Sequence, residues 1–100
     1  MSRTSSTAEN RAKALTVDVI LAFPIRRDDD TTIDKITVRR PKVRDRMDVQ
    51  RSKDSDPDKE LKLVAKVTDL SPNEVEELDV ADYAYIQEVL EGFFSARSAS

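Results

Sequence analysis

Apolar and polar side chains alternate along residues 15–25, the first part of the chain with a series of large apolar residues. One face of this stretch is entirely apolar and holds Leu15, Val17, Val19, Leu21, Phe23 and Ile25. A period of two with many β-branched residues predicts a half-buried strand. Pro24 marks the end of this strand or a position at a sheet edge.

A second, shorter strand is predicted over residues 33–38, where Ile36 and Val38 share one face. The polar connection between the two strands includes the three consecutive aspartates 28–30 and has no glycine. We therefore expect a hairpin with a turn other than the tight glycine-containing types. Because an isolated hairpin is only marginally stable, helices are expected to cover its apolar face.

Helical spacing replaces the alternation after Pro41. The first helix is predicted over residues 42–53, with an apolar stripe of Val43, Met47 and Gln50. The second is predicted from Asp56, taken as its N-cap, to about Asp69, because Pro57 suits the first helical turn. Its stripe consists of Leu61, Val64, Ala65 and Thr68, although Leu61, Leu63, Ala65 and Val67 also alternate as in a strand.

The strongest local signal in the chain surrounds Ser71. Ser71 is an N-cap residue followed by proline, and Glu74 lies three residues after it, which is the pattern of a capping box. The flanking residues Leu70 and Val75 occupy the positions of a hydrophobic staple. The sequence therefore predicts a short third helix that ends near Leu78.

A fourth helix is predicted to begin after Asp79, its N-cap, with Asp82 as an acidic residue in the first turn. Gly92 lies where the helix is expected to break. The predicted apolar stripe consists of Val80, Tyr83, Ala84, Leu90 and Phe94, widened by Ile86 and Phe93. Together the elements predict an α+β fold, with an N-terminal β-hairpin followed by three or four short α-helices.

The apolar residues also divide the chain into a domain and two tails. Residues 1–14 and 95–100 are rich in serine and small or charged residues, so both are expected to be disordered. Residues 15–94 hold almost all large apolar side chains and are expected to form a single domain. No apolar run approaches the roughly 18 residues of a membrane-spanning helix, so we expect a cytosolic protein without a membrane partner.

Composition removes most kinds of enzyme chemistry. The chain has no cysteine, histidine or tryptophan, and Gly92 is its single glycine. It therefore lacks the residues for a disulfide framework, a Ser-His-Asp triad or a glycine-rich phosphate loop. We expect a non-enzymatic protein that needs no metal or cofactor. The aspartates 28–30 lack the spacing and glycine of a calcium loop, which favours a solvated turn over a cation site.

Charge is segregated along the chain. Residues 35–53 hold eight basic and two acidic residues, whereas residues 69–91 hold eight acidic residues and no basic one. Three interpretations stay open: two solvated surfaces, pairing within the molecule, or self-association between the basic patch of one copy and the acidic helix of the next.

The basic segment 35–53 also raises an alternative function, that of a small acidic regulatory or nucleic-acid-binding module. The net charge of −3 and the absence of interleaved aromatic residues argue against nucleic acid as the partner.

Four of the five aromatic residues lie between positions 83 and 94. Two interpretations are open, since these residues form core alone or core together with an exposed partner site. The candidate partner-binding residues are Tyr85, Phe93 and Phe94, with Arg39, Arg40, Lys42 and Arg44 of the basic segment.

Several short segments follow one another along the chain: FPI at 23–25, ITVRRPKVRD at 36–45, VTDLSPNEV at 67–75 after Asp56-Pro57, LDVADY at 78–83 and GFF at 92–94. In their order and spacing, residues 17–94 resemble the phage tail assembly chaperone family of contractile-tailed, Mu-like and P2-like phages and prophages. The chain departs from the expected family pattern at the hairpin turn, where residues 28–31 replace a glycine-containing turn.

The resemblance implies a non-enzymatic chaperone that binds the phage tape measure protein and keeps it soluble during tail tube assembly. It implies action in the bacterial host cytoplasm and absence from the mature virion. A frameshift-extended form of the same protein is a further partner that the resemblance implies. The resemblance to the family implies no catalytic, metal-binding or cofactor-binding residues in this chain.

Overall fold

The computed structural model describes residues 15–95, which form a two-stranded antiparallel sheet and four helices. The strands are β1 (Thr16–Arg26) and β2 (Thr32–Arg39). The helices are α1 (Val43–Gln50), α2 (Asp56–Thr68), α3 (Pro72–Glu76) and α4 (Val80–Phe94). The predicted α+β fold is confirmed. Apart from Ser95, the C-cap of α4, the predicted disordered tails lie outside the described residues.

The first half of the hairpin is regular. Val17 pairs with Val38, and Val19 pairs with Ile36. Val19, Ile36 and Val38 are buried, so the alternation correctly predicts which face of each strand points inward.

The register breaks between Ile20 and Ile25, where four residues of β1 lie opposite a single residue of β2. Such an irregularity interrupts the alternation of inward and outward side chains. Leu21 and Ile25 are buried, but the Phe23 side chain is 57% exposed. The prediction that Phe23 belongs to the inner face is therefore wrong. Leu15, which precedes β1, is also exposed rather than buried.

The hairpin turn uses aspartates where other turns use glycine. Asp30 adopts the left-handed conformation with φ of 69°, which aspartate tolerates better than most residues. The Asp29 carboxylate accepts hydrogen bonds from the hydroxyl and the N–H of Thr31 at 2.6 and 3.1 Å, which lowers the pKa of Asp29. Within residues 15–95, no group of three or more acidic side chains is arranged to hold a metal ion.

Two helices cover the inner face of the sheet, since α2 packs on β2 and α4 packs on β1. The shorter helices α1 and α3 both pack against α2. The core lies between the sheet and these helices and includes Val19, Ile36, Val38, Val64, Val67, Ile86 and Leu90. None of the helices in the described part of the chain is both long and apolar enough to cross a membrane.

The apolar stripe predicted for α1 is wrong, because α1 packs through its opposite side. The three residues of that stripe are all exposed: Val43, Met47 and Gln50. The helix instead buries Asp45 and Val49. Asp45 is drawn inward because the Arg39 guanidinium donates two hydrogen bonds to its carboxylate, both at 2.9 Å.

The helix predicted after the polar break is confirmed, and its N-cap is one residue earlier than expected. The Ser55 hydroxyl, rather than the Asp56 carboxylate, accepts the N–H of Asp58 at 3.4 Å. Pro57 lies in the first turn, as predicted. The buried residues are Leu63, Val64, Ala65, Val67 and Thr68, a wider set than the predicted stripe, because α2 is covered by the sheet, α1 and α3.

The capping box predicted at Ser71 is confirmed. The Ser71 hydroxyl accepts the N–H of Glu74 at 3.2 Å, and the Glu74 carboxylate accepts the N–H of Ser71 at 3.0 Å. The second of these bonds is the main reason that the pKa of Glu74 is lowered. Leu70 and Val75 are buried, and Arg27 donates to Glu74 at 2.8 Å. The start of α3 is thus fixed both locally and to the hairpin.

Candidate functional site

The two sides of α4 differ in burial. The side that packs on the domain buries Asp82, Ile86, Val89, Leu90 and Phe93. Val80 and Phe94 are 82% and 51% exposed, and Ala84 is exposed as well. The prediction that these three residues belong to the buried stripe is therefore wrong.

The Asp82 carboxylate determines how α4 sits on the sheet. Its two oxygens accept the backbone N–H groups of Ala22 and Phe23, each at 3.0 Å. These donors come from the irregular part of β1. Two N–H donors and the N-terminal end of a helix compensate the cost of burying a carboxylate.

The sequence pattern does not predict this contact, because it indicates only that Asp82 lies in the first turn of the helix. Its partners lie 59 and 60 residues away along the chain. One signal was present, since Ile86, Val89 and Phe93 follow Asp82 at helical spacing and place it on the side that becomes buried.

A groove runs between α2 and α4, and we call it the α2–α4 groove. Its α2 wall contains Pro57, Lys59, Glu60, Leu61 and Leu63, and its α4 wall contains Val80, Tyr83, Gln87, Leu90, Glu91 and Phe94. Asp56 also lines it. The groove consists of two open depressions of about 680 and 580 Å³ that share Glu60 and Gln87.

Residues of the two short helices line the ends of the groove. Arg46, Val49 and Gln50 of α1 line one end. Val75 and Glu76 of α3, with Leu78, line the other end. The groove therefore extends from the first residue of α4 to its last, a distance of about 22 Å for a helix of 15 residues.

Apolar side chains line both depressions and make up most of the lining at the α3 end. Leu63, Leu90 and Leu78 belong to the core and also line the groove, and Tyr83 in its lining is half-buried. Burial raises the pKa of Tyr83 above its usual value. An open channel with this lining suits the apolar side of a polypeptide segment better than a small polar substrate.

The rim of the groove is charged, and its two ends differ in the sign of their charged residues. The acidic residues are Asp56, Glu60, Glu76 and Glu91, and the basic residues are Arg46 and Lys59. The Arg46 guanidinium lies 5.6 Å from the centroid of the Phe94 ring at the α1 end. At the α3 end, the charged residues in the described lining are Glu60 and Glu76. That end of the groove is therefore negative.

The structure separates the aromatic candidates from one another. Phe94 lines the groove, whereas Tyr85 is partly exposed on α4 outside the groove lining. Phe93 is only 3% exposed, so a partner does not reach its ring in this conformation. The Arg40 guanidinium lies 4.8 Å from the Phe93 ring centroid and donates to the Phe93 carbonyl oxygen at 3.0 Å. Arg40 thus packs on the C-terminal end of α4.

The other basic candidates lie around the junction of β2 and α1. The Arg39 side chain and the Lys42 N–H, the latter at 2.8 Å, both donate to the Asp45 carboxylate. The hydrogen bonds from Arg39 hold the pKa of Asp45 well below its usual range. Arg44 is exposed on α1. Arg39 and Lys42 therefore fix α1 to the end of β2.

The ion pairs of the described residues do not join the basic segment 35–53 to the acidic segment 69–91. Arg39 and Arg51 pair with Asp45 and Asp48, which lie within the basic segment itself. The acidic Glu74 pairs with Arg27 of the hairpin turn, outside that segment. The described residues show one weaker link between the two segments, since the negative charge of Asp69 contributes to raising the pKa of Arg39. Glu76, Glu88 and Glu91 of α3 and α4 face solvent.

A family model described as "Phage tail assembly chaperone proteins, E, or 41 or 14" matches residues 18–95 of the chain. The matched region begins in β1 and ends just after α4, so it contains all four helices and the complete α2–α4 groove. No curated protein matches the chain significantly. No solved structure does so either.

Proposed function

The chain belongs to the phage tail assembly chaperone family, and we propose on this basis that it binds the tape measure protein of its phage and keeps that protein soluble during tail tube assembly. The observation that carries the proposal is the α2–α4 groove. It offers a long surface, open to solvent, that is mainly apolar at the α3 end and combines apolar with charged side chains at the α1 end.

Physical chemistry explains why such a partner needs a chaperone. A long helical protein that is not yet enclosed by its tube exposes apolar stripes, and exposed apolar stripes cause aggregation. Many copies of a small domain cover those stripes while their own charged exteriors keep the complex dispersed. With 37% charged residues, this chain has such an exterior.

In this role the protein binds its partner and catalyses no chemical step. It acts in the host cytoplasm while the tail is built, and it leaves the tape measure protein as tube subunits replace it. A frameshift-extended product of the same gene belongs to the proposal as a second binding partner. Among the candidate residues, Phe94 is assigned to the contact because it is exposed and lies in the groove.

The alternative function of nucleic-acid binding by residues 35–53 gains no support from the geometry. Arg39, Arg40 and Arg46 contact Asp45, Phe93 and Phe94 of the same molecule. These contacts within the fold engage three of the eight basic residues of the segment, which reduces the number of cations available for phosphate binding.

Co-expression tests the proposed function. The tape measure protein encoded in the same phage genome is produced alone, with this chain, or with an unrelated acidic protein of similar size. We expect it to be insoluble in the first and third cases, and soluble and copurified with the chain in the second. Equal solubility in all three cases, with no copurification, would contradict the proposal.

A further inference from the structure

We infer that the α2–α4 groove binds one amphipathic helix of the tape measure protein, with apolar side chains on the floor and basic side chains beside Glu60 and Glu76. This inference rests on the proposed function and adds to it the binding site, the conformation of the bound segment and the sign of its charge. None of these follows from membership of the family.

The shape of the groove favours a helix. Its walls are two helices, and it is as long as the 15-residue α4. An amphipathic helix presents apolar side chains at intervals of three and four residues along one side. Over about four turns, such a side fills both depressions and spans the polar division formed by Glu60 and Gln87.

The charges of the rim determine which helix is favoured. The α3 end is lined by Glu60 and Glu76, and the segment 69–91 that forms α3 and α4 has no basic residue. Lys or Arg on the bound helix is attracted to this end, whereas an acidic helix is repelled. At the α1 end, Arg46 and Lys59 offset two of the three acidic residues, Asp56, Glu60 and Glu91, so the attraction for a basic helix is weaker there. The basic residues of the partner are therefore expected at the α3 end.

Two neighbouring glutamates provide a matched pair of variants. Glu76 and Glu77 are both exposed at the end of α3, but of the two only Glu76 lines the groove. Substitution by lysine changes the net charge equally at either position. A difference in peptide affinity between Glu76→Lys and Glu77→Lys therefore reports on the groove and not on the overall charge of the protein.

Two phenylalanines provide a second matched pair. Phe94 and Phe23 are similarly exposed, at 51% and 57%, but Phe94 lines the groove and Phe23 lies on β1 outside the groove lining. Because both side chains are largely outside the core, Phe94→Ser and Phe23→Ser are expected to fold. Unchanged denaturation midpoints check that they do.

The experiment measures binding of the full chain to overlapping peptides of about 20 residues that cover the tape measure protein of the same phage, a length of about 30 Å when helical. We expect the tightest peptides to combine helical apolar spacing with a net positive charge. Glu76→Lys should weaken binding about five- to tenfold at low salt, and Glu77→Lys less than about twofold. Phe94→Ser should weaken it about tenfold or more, and Phe23→Ser should have little effect.

The possible failures are distinguishable. If the chain holds the full-length tape measure protein in solution but neither the glutamate pair nor the phenylalanine pair differs in binding, the groove is not the site and the proposed function stands. If the bound peptides are acidic, the inferred charge of the bound helix is wrong and the inference is overturned. If the chain binds neither the full-length protein nor any peptide, both proposals fail. If Glu76→Lys instead weakens association between copies of the chain without peptide, the groove binds a second copy, and the inference is overturned.

Discussion

The side of α4 that faces the sheet and the side that faces the groove serve different purposes. The first is fixed by Asp82, which holds two N–H groups of β1, and by Phe93, which lies beneath Arg40. The second leaves Val80 and Phe94 exposed. Phe93 and Phe94 are neighbours of the same type, and a rotation of about 100° along the helix separates a core residue from a candidate contact residue.

The largest difference in stability between the two sides of α4 is expected at these two phenylalanines. Phe93→Ala removes a buried ring and should lower the free energy of unfolding by about 3–5 kcal/mol. Phe94→Ala removes an exposed ring that contacts Arg46 and should lower it by about 1 kcal/mol or less. Urea denaturation of both variants measures the difference. Similar losses for the two variants would show that the two sides of α4 are not distinct.

The next largest effect is expected at Asp82, the polar anchor of the sheet-facing side. Asp82→Asn replaces one accepting oxygen by an NH₂ group that cannot accept a hydrogen bond, so one N–H of β1 loses its partner. The expected loss is about 1–3 kcal/mol of unfolding free energy. The amide hydrogens of Ala22 and Phe23 should also exchange faster with solvent.

Glu88→Gln is the matched control, because Glu88 is an exposed acidic residue of the same helix. Glu88→Gln should leave unchanged both the midpoint of denaturation and the amide exchange rates of Ala22 and Phe23. An Asp82→Asn variant that behaves like this control would refute the anchoring role of Asp82.

A smaller effect is expected at Ser71, which caps the helix at one end of the groove. Ser71→Ala removes the acceptor for the N–H of Glu74 and should cost about 0.5–2 kcal/mol. Ser71→Asp keeps an acceptor and should remain close to the original stability. Thermal or urea denaturation compares the two. If alanine and aspartate gave the same midpoint as serine, Ser71 would not act as a cap.

The smallest effect concerns Asp45, which fixes the helix at the other end of the groove. The pKa of Asp45 is lower in the folded protein than in the unfolded chain, mainly because of the hydrogen bonds from Arg39. Its contribution to stability is therefore present above the unfolded pKa of about 3.9 and is lost as the pH falls below that value. Arg39 is partly exposed, which weakens this contribution through solvent screening.

Arg39→Met tests this contribution. The variant should be less stable than the original chain at pH 7, and the difference should shrink as the pH falls below about 4. Unfolding free energies measured from pH 7 to pH 2 show the trend. A difference that stays constant with pH would mean that the charge of Asp45 is not involved.

The sequence predicts well the features that depend on neighbouring residues. Alternation identifies the hairpin, Ser71 and Glu74 identify the capping box, and Asp79 is confirmed as the N-cap of α4 through its bond to the N–H of Ala81. The two capping signals are each complete within about four residues, because the hydrogen bonds that stabilise the start of the helix are themselves local.

The features that the sequence predicts poorly depend on distant or charged contacts. Hydrophobicity places Val80 and Phe94 on the buried stripe of α4, but the bonds between Asp82 and β1 rotate the helix so that both are exposed. The pair of Arg39 and Asp45 likewise turns α1 away from its apolar stripe. The groove lies between elements far apart in the chain, and of the candidate residues only Phe94 was found to line it.

The most direct test of peptide binding in the groove follows the backbone amide signals of the isotope-labelled chain by NMR while a tape measure peptide is added. We predict the largest shifts at groove residues such as Glu60, Leu61, Gln87 and Glu91, and much smaller shifts at outward-facing residues of the hairpin such as Thr37. Shifts concentrated on the hairpin or on the exposed side of α1, with the groove unchanged, would contradict this prediction.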